Sequence, residues 1–512
     1  MQGDAHHETD QAEAIAFCEN GAGIGAEADR TDTHGAIIFL IGDRALKMKR
    51  AVQYDYMDLS TLEKRKALLE REFELNSKTA PSIYRGVIPL TREADDKLAL
   101  DGDGDAVEWV LSMWRFPPEA ELTHIASNDG IDDTLAQDLG EAIVRYHGDA
   151  PVKDADGVTL ITEILDELDR VFGAMENEFQ DNALRFVRQG RAMLSDRAGV
   201  MRARSRAGFV RRCHGDLHLR NIVLLEGVLT PFDALEFDER LGTCDTLYDF
   251  AFLLMDLLHR GFAHPANMVL NTYLNGVSDH MEDAGLDILP LFLGIRAAIR
   301  AMVSIQTSEF SSSSEKMLTD ARDYLQEALD YLDPPAPVLV AIGGLSGSGK
   351  TTIARAIAHR IGAFPGAIHI RSDVVRKKIM KVDPLEPLDS EGYAPPITAQ
   401  TYESIRQQAT QVLAQGHAAI LDAVHDNAES RAAARDVAQE AGCEFIGIWL
   451  ETPTDVRSNR VTGRGPDASD ADPWVVKQQE RIDPGPLDWQ QIDADRPLAT
   501  VISDIAARLP KR

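Results

Sequence analysis

The sequence predicts two folded parts: an α+β bilobal domain, followed by an α/β domain built on a parallel sheet. Three observations lead there. Residues 31–115 alternate short apolar runs with turn residues, whereas 116–333 read mostly as helices, so a β-rich small lobe precedes a larger helical one. A buried-strand run, Val338 to Ile342, leads straight into a glycine-rich turn and then a helical pattern from Ile353 to Ile361. Between the two parts stands Asp333-Pro334-Pro335-Ala336-Pro337, where three prolines in four residues forbid a continuing helix and stiffen the chain.

The expected layout is a flexible acidic leader over 1–30, with one helix over Gln11 to Glu19, then a first domain over 31–333. That domain divides into a small lobe (31–115) and a helical lobe (116–333). A Pro-rich linker (334–337) joins it to a second domain over 338–512. In the small lobe, Ala36 to Leu40 and Arg44 to Met48 read as strands around the turn Gly42-Asp43. Leu59 to Leu75 is a charged helix and Val107 to Met113 another strand. An amphipathic helix, Met317 to Leu332, closes the first domain.

With 512 residues and a hydrophobic fraction of 44%, two or three packed domains are expected. The net charge of −30 is uneven: −27 before Val338 and −3 from it onward. An acidic surface repels polyanions, which argues against nucleic acid for the first two-thirds and leaves it open for the near-neutral last third. A cationic substrate would suit the acidic part; solubility explains the charge equally well. No run of eighteen apolar residues predicts a membrane span, and the polar acidic start has no basic region of a signal peptide. Cys18, Cys213, Cys244 and Cys443 lack disulfide-framework or zinc spacing, which points to a reducing cytoplasm.

Gly344 to Thr351 fits G-x-x-x-x-G-K-[ST] between strand and helix, the context that motif requires. Backbone N–H groups close around phosphates, Lys350 reaches the terminal phosphates and Thr351 offers its hydroxyl to Mg²⁺. Gly344, Ser346, Gly347, Ser348, Gly349 and Thr352 complete the nucleotide-binding set, so ATP with Mg²⁺ is the expected ligand. At the end of the next apolar strand come Asp373, placed to take the proton of an attacking hydroxyl, and Arg376, placed to grip an anionic acceptor. Asp422 ends a third strand and suits Mg²⁺ coordination. After a fourth strand, Arg457, Arg460 and Arg464 fall on one helical stripe of Thr454 to Arg464, a cationic lid for the transferring phosphoryl group.

The first domain carries a second constellation. His214-Gly215-Asp216 is followed by Asn221, then by two strand-like runs ending in Asp233. Phosphoryl transfer needs a carboxylate for the attacking hydroxyl, and an amide with a second carboxylate for the metal; Asp216, Asn221 and Asp233 supply them.

This segment resembles the loop H-G-D-x-x-x-x-N of aminoglycoside phosphotransferases and choline-kinase-like enzymes, within a protein-kinase-like fold. The resemblance implies that Asp216 is the catalytic base, that Asn221 and Asp233 hold the metal, and that Asp249 is a scaffold residue. It makes Lys47 the phosphate-contacting lysine, with Lys49 as runner-up, and Glu72 its partner, with Glu70 and Glu74 as rivals. Glu236 and Asp238 depart from the pattern and compete with Asp233 for the metal. Residues 338–512 resemble small P-loop kinases of the polynucleotide-kinase, gluconate-kinase and zeta-toxin group. There Asp373 and Arg376 match an Asp-x-x-Arg motif of base and acceptor-phosphate holder. Together the two parts look like a bacterial fusion that phosphorylates small-molecule hydroxyls at two ATP sites. The alternatives are a polynucleotide 5′-hydroxyl kinase in the second domain, or a non-catalytic first domain that regulates the second.

Overall fold

In the computed structural model, which describes residues 4–54, 57–277, 281–308, 314–465 and 467–510, burial of Ile37, Phe39 and Ile41 faces one side of the strand Ala36–Ile41 inward. Gly42, at φ +57°, turns the chain into Arg44–Lys49. These strands belong to a six-stranded antiparallel sheet in the order Asp29–Asp32, Ala36–Ile41, Arg44–Lys49, Asp105–Trp114, Tyr84–Arg92, Leu98–Leu100. Helix Leu62–Asn76, capped by the Thr61 side chain, packs on it through Leu69, beside Ala45, Ile83, Leu111 and Met113. The sheet, the hairpin Ile222–Leu225/Val228–Pro231 and the segments between them fall in one compact unit: Met1–Ile131, Arg145–Ala155 and Gly208–Leu253.

The helix expected over Gln11 to Glu19 starts earlier, at Asp4, and from Gln11 onward it is packed rather than part of a flexible leader. Ala14, Ile15 and Cys18 join the core of Phe39, Leu46, Met48 and Val110. Gln11, which is buried, donates to Lys49 O and Glu108 Oε2 and accepts from Ala51 N. Burying an amide with all these partners fixes the segment to the sheet.

The second unit comprises Asp132–Val144, Asp156–Ala207 and Leu254–Arg512. Its parallel sheet runs Ile368–Arg371, Ala419–Asp422, Val338–Gly343, Glu444–Glu451, Gln490–Asp493; the last strand was not foreseen. Val338–Gly343 is buried along its length, as a central parallel strand must be. The register sets Ile342 and Arg371 on either side of Asp422, at the carboxyl edge where ligands of such sheets lie.

The proline segment marks a boundary in the chain's course but not in its packing. Helices expected to complete the first domain, Ala263–Val277, Leu289–Ser308 and Ser314–Tyr331, belong to the second unit. Leu289–Ser308 is, among the described residues, the one helix long and apolar enough to cross a membrane, and 67% of its most apolar window is buried inside the protein.

Candidate active sites

In the first unit, Lys47 and Lys49 lie two residues apart on one strand and so share a face. Between them they occupy both carboxylate oxygens of the fully buried Glu72. Lys47 Nζ is 2.7 Å from Oε1 and Lys49 Nζ 2.7 Å from Oε2. Lys47 also reaches Asp233 Oδ1 at 2.8 Å, and Lys49 reaches Glu236 Oε1 at 2.5 Å. Burial works against the Lys47 ammonium, but Asp233, Glu72 and Glu236 outweigh it and raise its pKa well above the ordinary lysine value. The rivals of Glu72 are spent elsewhere, Glu70 on Lys66 and Glu74 on Arg71.

The hairpin pairs Ile222 with Pro231, so the residues flanking it meet at one end, where Phe232 N donates to Asn221 O. Asn221 Nδ2 donates to Asp216 Oδ2 and to Asp216 O, each at 3.0 Å. The Asp216 side chain is 45% exposed, open to a hydroxyl from outside. Asp249 accepts from His214 N at 3.1 Å and Gly215 N at 2.8 Å, and thus ties down the loop that carries Asp216. Asp233 stands in the left-handed region at φ +60°. Its amide donates to Tyr84 Oη (3.0 Å) and the next amide, Ala234 N, to Asn76 Oδ1 (2.9 Å), which hold that uncommon conformer in place. Asp238 accepts from Arg240 N within its own turn.

In the second unit the glycine turn borders a cavity of about 1090 Å³. Gly347, at φ +81°, passes so close to Arg457 that a Cβ would lie 2.7 Å from its carbonyl oxygen. Helix Lys350–Ala358 follows Gly349 directly, so its first N–H groups face the turn. Lys350 Nζ folds back on Gly344 O (2.8 Å), and Thr351 Oγ1 donates to Asp422 Oδ2 (2.6 Å). Asp422 also receives His369 Nε2 at 3.1 Å. Burial disfavours its ionised form, but the His369 hydrogen bond and the charges of Lys350 and Arg371 prevail and lower its pKa.

Helix Ser372–Met380 presents Asp373 and Arg376 to the same cavity. Desolvation and the nearby Asp422 raise the Asp373 carboxyl above the usual range, against the pull of Arg371 and Lys350. Arg376 Nη1 donates to Gly392 O (2.8 Å) and Thr398 Oγ1 (3.2 Å), and its guanidinium lies over the Tyr393 ring at 4.8 Å.

The arginine stripe needs correction. The helix ends at Thr462, so Arg464 sits on the loop beyond it. Arg460 and Arg464 line the cavity, whereas Arg457 is buried and spends its N–H groups on Thr452 O, Ser346 O and Thr454 Oγ1. Arg457 props the phosphate loop from behind.

Several site residues escaped the sequence reading. Gln479 Oε1 accepts from Ser346 N (2.7 Å) and its Nε2 donates to Ser346 Oγ (3.0 Å), so it grips the loop residue expected at the phosphates. Asp470 collects Lys377 Nζ, Leu388 N and Tyr393 Oη on the cavity wall. Asp467 takes both its oxygens to Arg371 Nη2 at 2.9 Å. These partners lie some 80 to 130 positions away in sequence, and no local pattern announces them.

Residues 339–482 match the family model of an AAA domain. Over 472 residues, 86% of this chain and 87% of the relative, the sequence is 28% identical to an uncharacterized protein of Mycobacterium tuberculosis. The P-loop domain is similar to an adenylyl-sulfate kinase of Myxococcus xanthus, 30% identical over 122 residues that span 24% of this chain and 61% of that protein. Among solved structures, a choline/ethanolamine kinase family protein from Mesorhizobium loti matches 63% of this chain and 98% of its own, at 14% identity and a TM-score of 0.38.

Proposed function

We propose that the chain is a bifunctional ATP-dependent phosphotransferase, in which each part passes the γ-phosphate of ATP to a hydroxyl of a small molecule. One observation carries this reading. A carboxylate with a raised pKa, Asp373, lines the same cavity as Lys350 and Thr351, so that base and phosphate loop face one space. Asp373 takes the proton of the acceptor hydroxyl as its oxygen bonds to the γ-phosphorus, while the bond from that phosphorus to the departing ADP oxygen breaks. Lys350, Arg460 and Arg464 stabilise the charge that spreads over the phosphoryl oxygens.

In the kinase-like region Asp216 plays the part of Asp373, and Lys47, held by Glu72, grips the nucleotide phosphates. The donor sets fit Mg²⁺, a hard cation that prefers oxygen ligands. Thr351 and Asp422 would hold it in one site, Asn221 and Asp233 in the other. When bound it neutralises charge on the β- and γ-phosphates. Four free cysteines, three of them buried, suit a reducing cytoplasm.

The test uses the full chain and γ-labelled ATP, offered with a metabolite extract to the wild type, Lys350→Ala, Asp216→Asn and the double variant. Label that enters acceptors with the wild type, and that each single change removes in part and the double change entirely, supports two sites. A double variant that labels as well as the wild type overturns the reading. Labelling lost entirely with Lys350→Ala alone leaves the kinase-like region without transfer of its own.

A further inference from the structure

The parallel sheet has an edge strand, Ile368–Arg371, whose inner side pairs with Ala419–Asp422. Ile368 N faces inward, donating to Ala418 O, so by alternation Ala367 O and His369 N face outward. An edge left so presents unpaired backbone groups to any passing strand. Here helix Ala263–Val277 covers it with side-chain amides. Asn271 Oδ1 accepts from His369 N at 2.7 Å, and its Nδ2 points to Ala367 O at 3.3 Å. Asn267, one turn earlier and buried, donates to Ala367 O at 3.0 Å. An asparagine amide carries a donor and an acceptor on one planar group, so Asn271 can pair with the edge as a sixth strand would, its Nδ2 shared between Ala367 O and Asn267 O (3.0 Å). Gly366 makes room for this approach: a Cβ there would lie 2.8 Å from Asn267 Nδ2.

The capped residue is the one whose ring reaches the phosphate site. His369 Nε2 lies 3.1 Å from Asp422 Oδ2, the oxygen that also receives Thr351 Oγ1 at 2.6 Å. Backbone pinned from outside fixes where the ring stands, and the ring fixes which way the carboxylate turns. We propose that Asn271 is a positioning residue of the P-loop site, acting through His369 on the Asp422–Thr351 pair, so that a helix outside the P-loop fold sets the geometry of its metal-binding oxygens. The kinetic part rests on the phosphotransferase reading above; the capping itself does not.

Two measurements on the full chain separate them. Hydrogen exchange without nucleotide reads the cap: Asn271→Ala should exchange amides of 367–371 about tenfold faster, the worth of one lost hydrogen bond. Titration of Mg²⁺ against a bound fluorescent ATP analogue reads the relay. Half-saturating Mg²⁺ should rise about tenfold in Asn271→Ala, as it does when a group that orients a metal ligand is lost. His369→Gln should raise it likewise. Lys378→Met removes another tie from the same helix, Lys378 Nζ to Asn275 O (2.9 Å), and should leave the Mg²⁺ requirement unchanged. Unaltered exchange in Asn271→Ala rejects the cap. Faster exchange with an unaltered Mg²⁺ requirement, or a Lys378→Met effect as large as that of Asn271→Ala, rejects the relay. If Asn271→Ala does not fold, His369→Gln with a wild-type Mg²⁺ requirement rejects it as well.

Discussion

Lys49 Nζ sits 2.5 Å from Glu236 Oε1 with both side chains almost wholly buried, which commits one of the three carboxylates that follow the hairpin. Asp238 is turned onto Arg240 N, whereas Asp233, paired with Lys47, keeps 41% of its side chain exposed and follows Phe232, whose amide donates to Asn221 O. Asp233→Asn should therefore weaken Mg²⁺-dependent nucleotide binding by the first unit with a smaller loss of melting temperature, since its ion pair with Lys47 is partly exposed and asparagine also tolerates φ +60°. Glu236→Gln should do the reverse. It strips a charged partner from a buried lysine, at a cost of about 1–3 kcal/mol, and leaves the Mg²⁺ requirement as it was. Thermal melts and Mg²⁺ titrations of both variants check this; a Glu236 variant with altered metal dependence would move the metal role there.

The two sites can be read apart inside one chain. In a Lys350→Ala background the remaining turnover belongs to the kinase-like region. Adding Asp216→Asn should cut it by about two to four orders of magnitude, the range for a lost acid–base group. ATP affinity should hold if Asp216 acts on the acceptor rather than on the nucleotide. Residual turnover indifferent to Asp216 would sink its role as base.

A pH profile tests Asp373. A general base works only when ionised, and the surroundings of Asp373 raise its pKa above the usual carboxylate range. Transfer by the P-loop domain, measured as kcat/KM in the Asp216→Asn chain, should rise with pH through that elevated value and plateau above it. Asp373→Asn should remove the limb along with most of the rate. An acid limb at an ordinary aspartate pKa would contradict the assignment.

Arg376 has N–H groups already on Gly392 O and Thr398 Oγ1, so its charge is fixed in direction before any acceptor arrives. Arg376→Ala should raise the acceptor's KM if that acceptor carries a phosphate or carboxylate, with a loss of about ten- to a hundredfold in kcat/KM. A 5′-hydroxyl oligonucleotide and a panel of sugar acids discriminate the acceptors. Efficient, salt-sensitive labelling of the oligonucleotide would replace the small-molecule reading.

What could be read from the sequence was what lies contiguous in it. The glycine turn between strand and helix, and the run from His214 to Asn221, each concentrate a chemistry within about ten residues, so composition and spacing suffice. The polar partners that hold these motifs are a different matter. Gln479 on Ser346, Asn271 on His369 and Lys49 on Glu236 are set by tertiary neighbours, and one amide or lysine in a sequence looks like any other. A trace was present in Asn267, Asn271 and Asn275, three asparagines at four-residue spacing inside a helix, where that residue is disfavoured unless its side chain has work. The helix over Gln11 to Glu19 was legible, but not that it packs against the sheet, because its few apolar residues look like those of any solvent-facing helix. The arginine stripe misled because spacing fixes a helical face without saying which face meets the ligand.

The amide of Gln11 has a consequence for the order of events at the ribosome. Gln11 is made well before its partner Glu108, which follows 97 positions later. At roughly 5–20 residues per second the wait is on the order of ten seconds. For that time the segment lacks its Glu108 and Val110 contacts, although Lys49, Ala51 and Phe39 are already made, and its carboxylates at Glu13 and Glu19 keep its exposed face polar. Nascent chains arrested before Glu108 should leave it open to protease, and those arrested well beyond should protect it. The helix that carries Gln11 thus waits for strand Asp105–Trp114 before its contacts with the small sheet are complete.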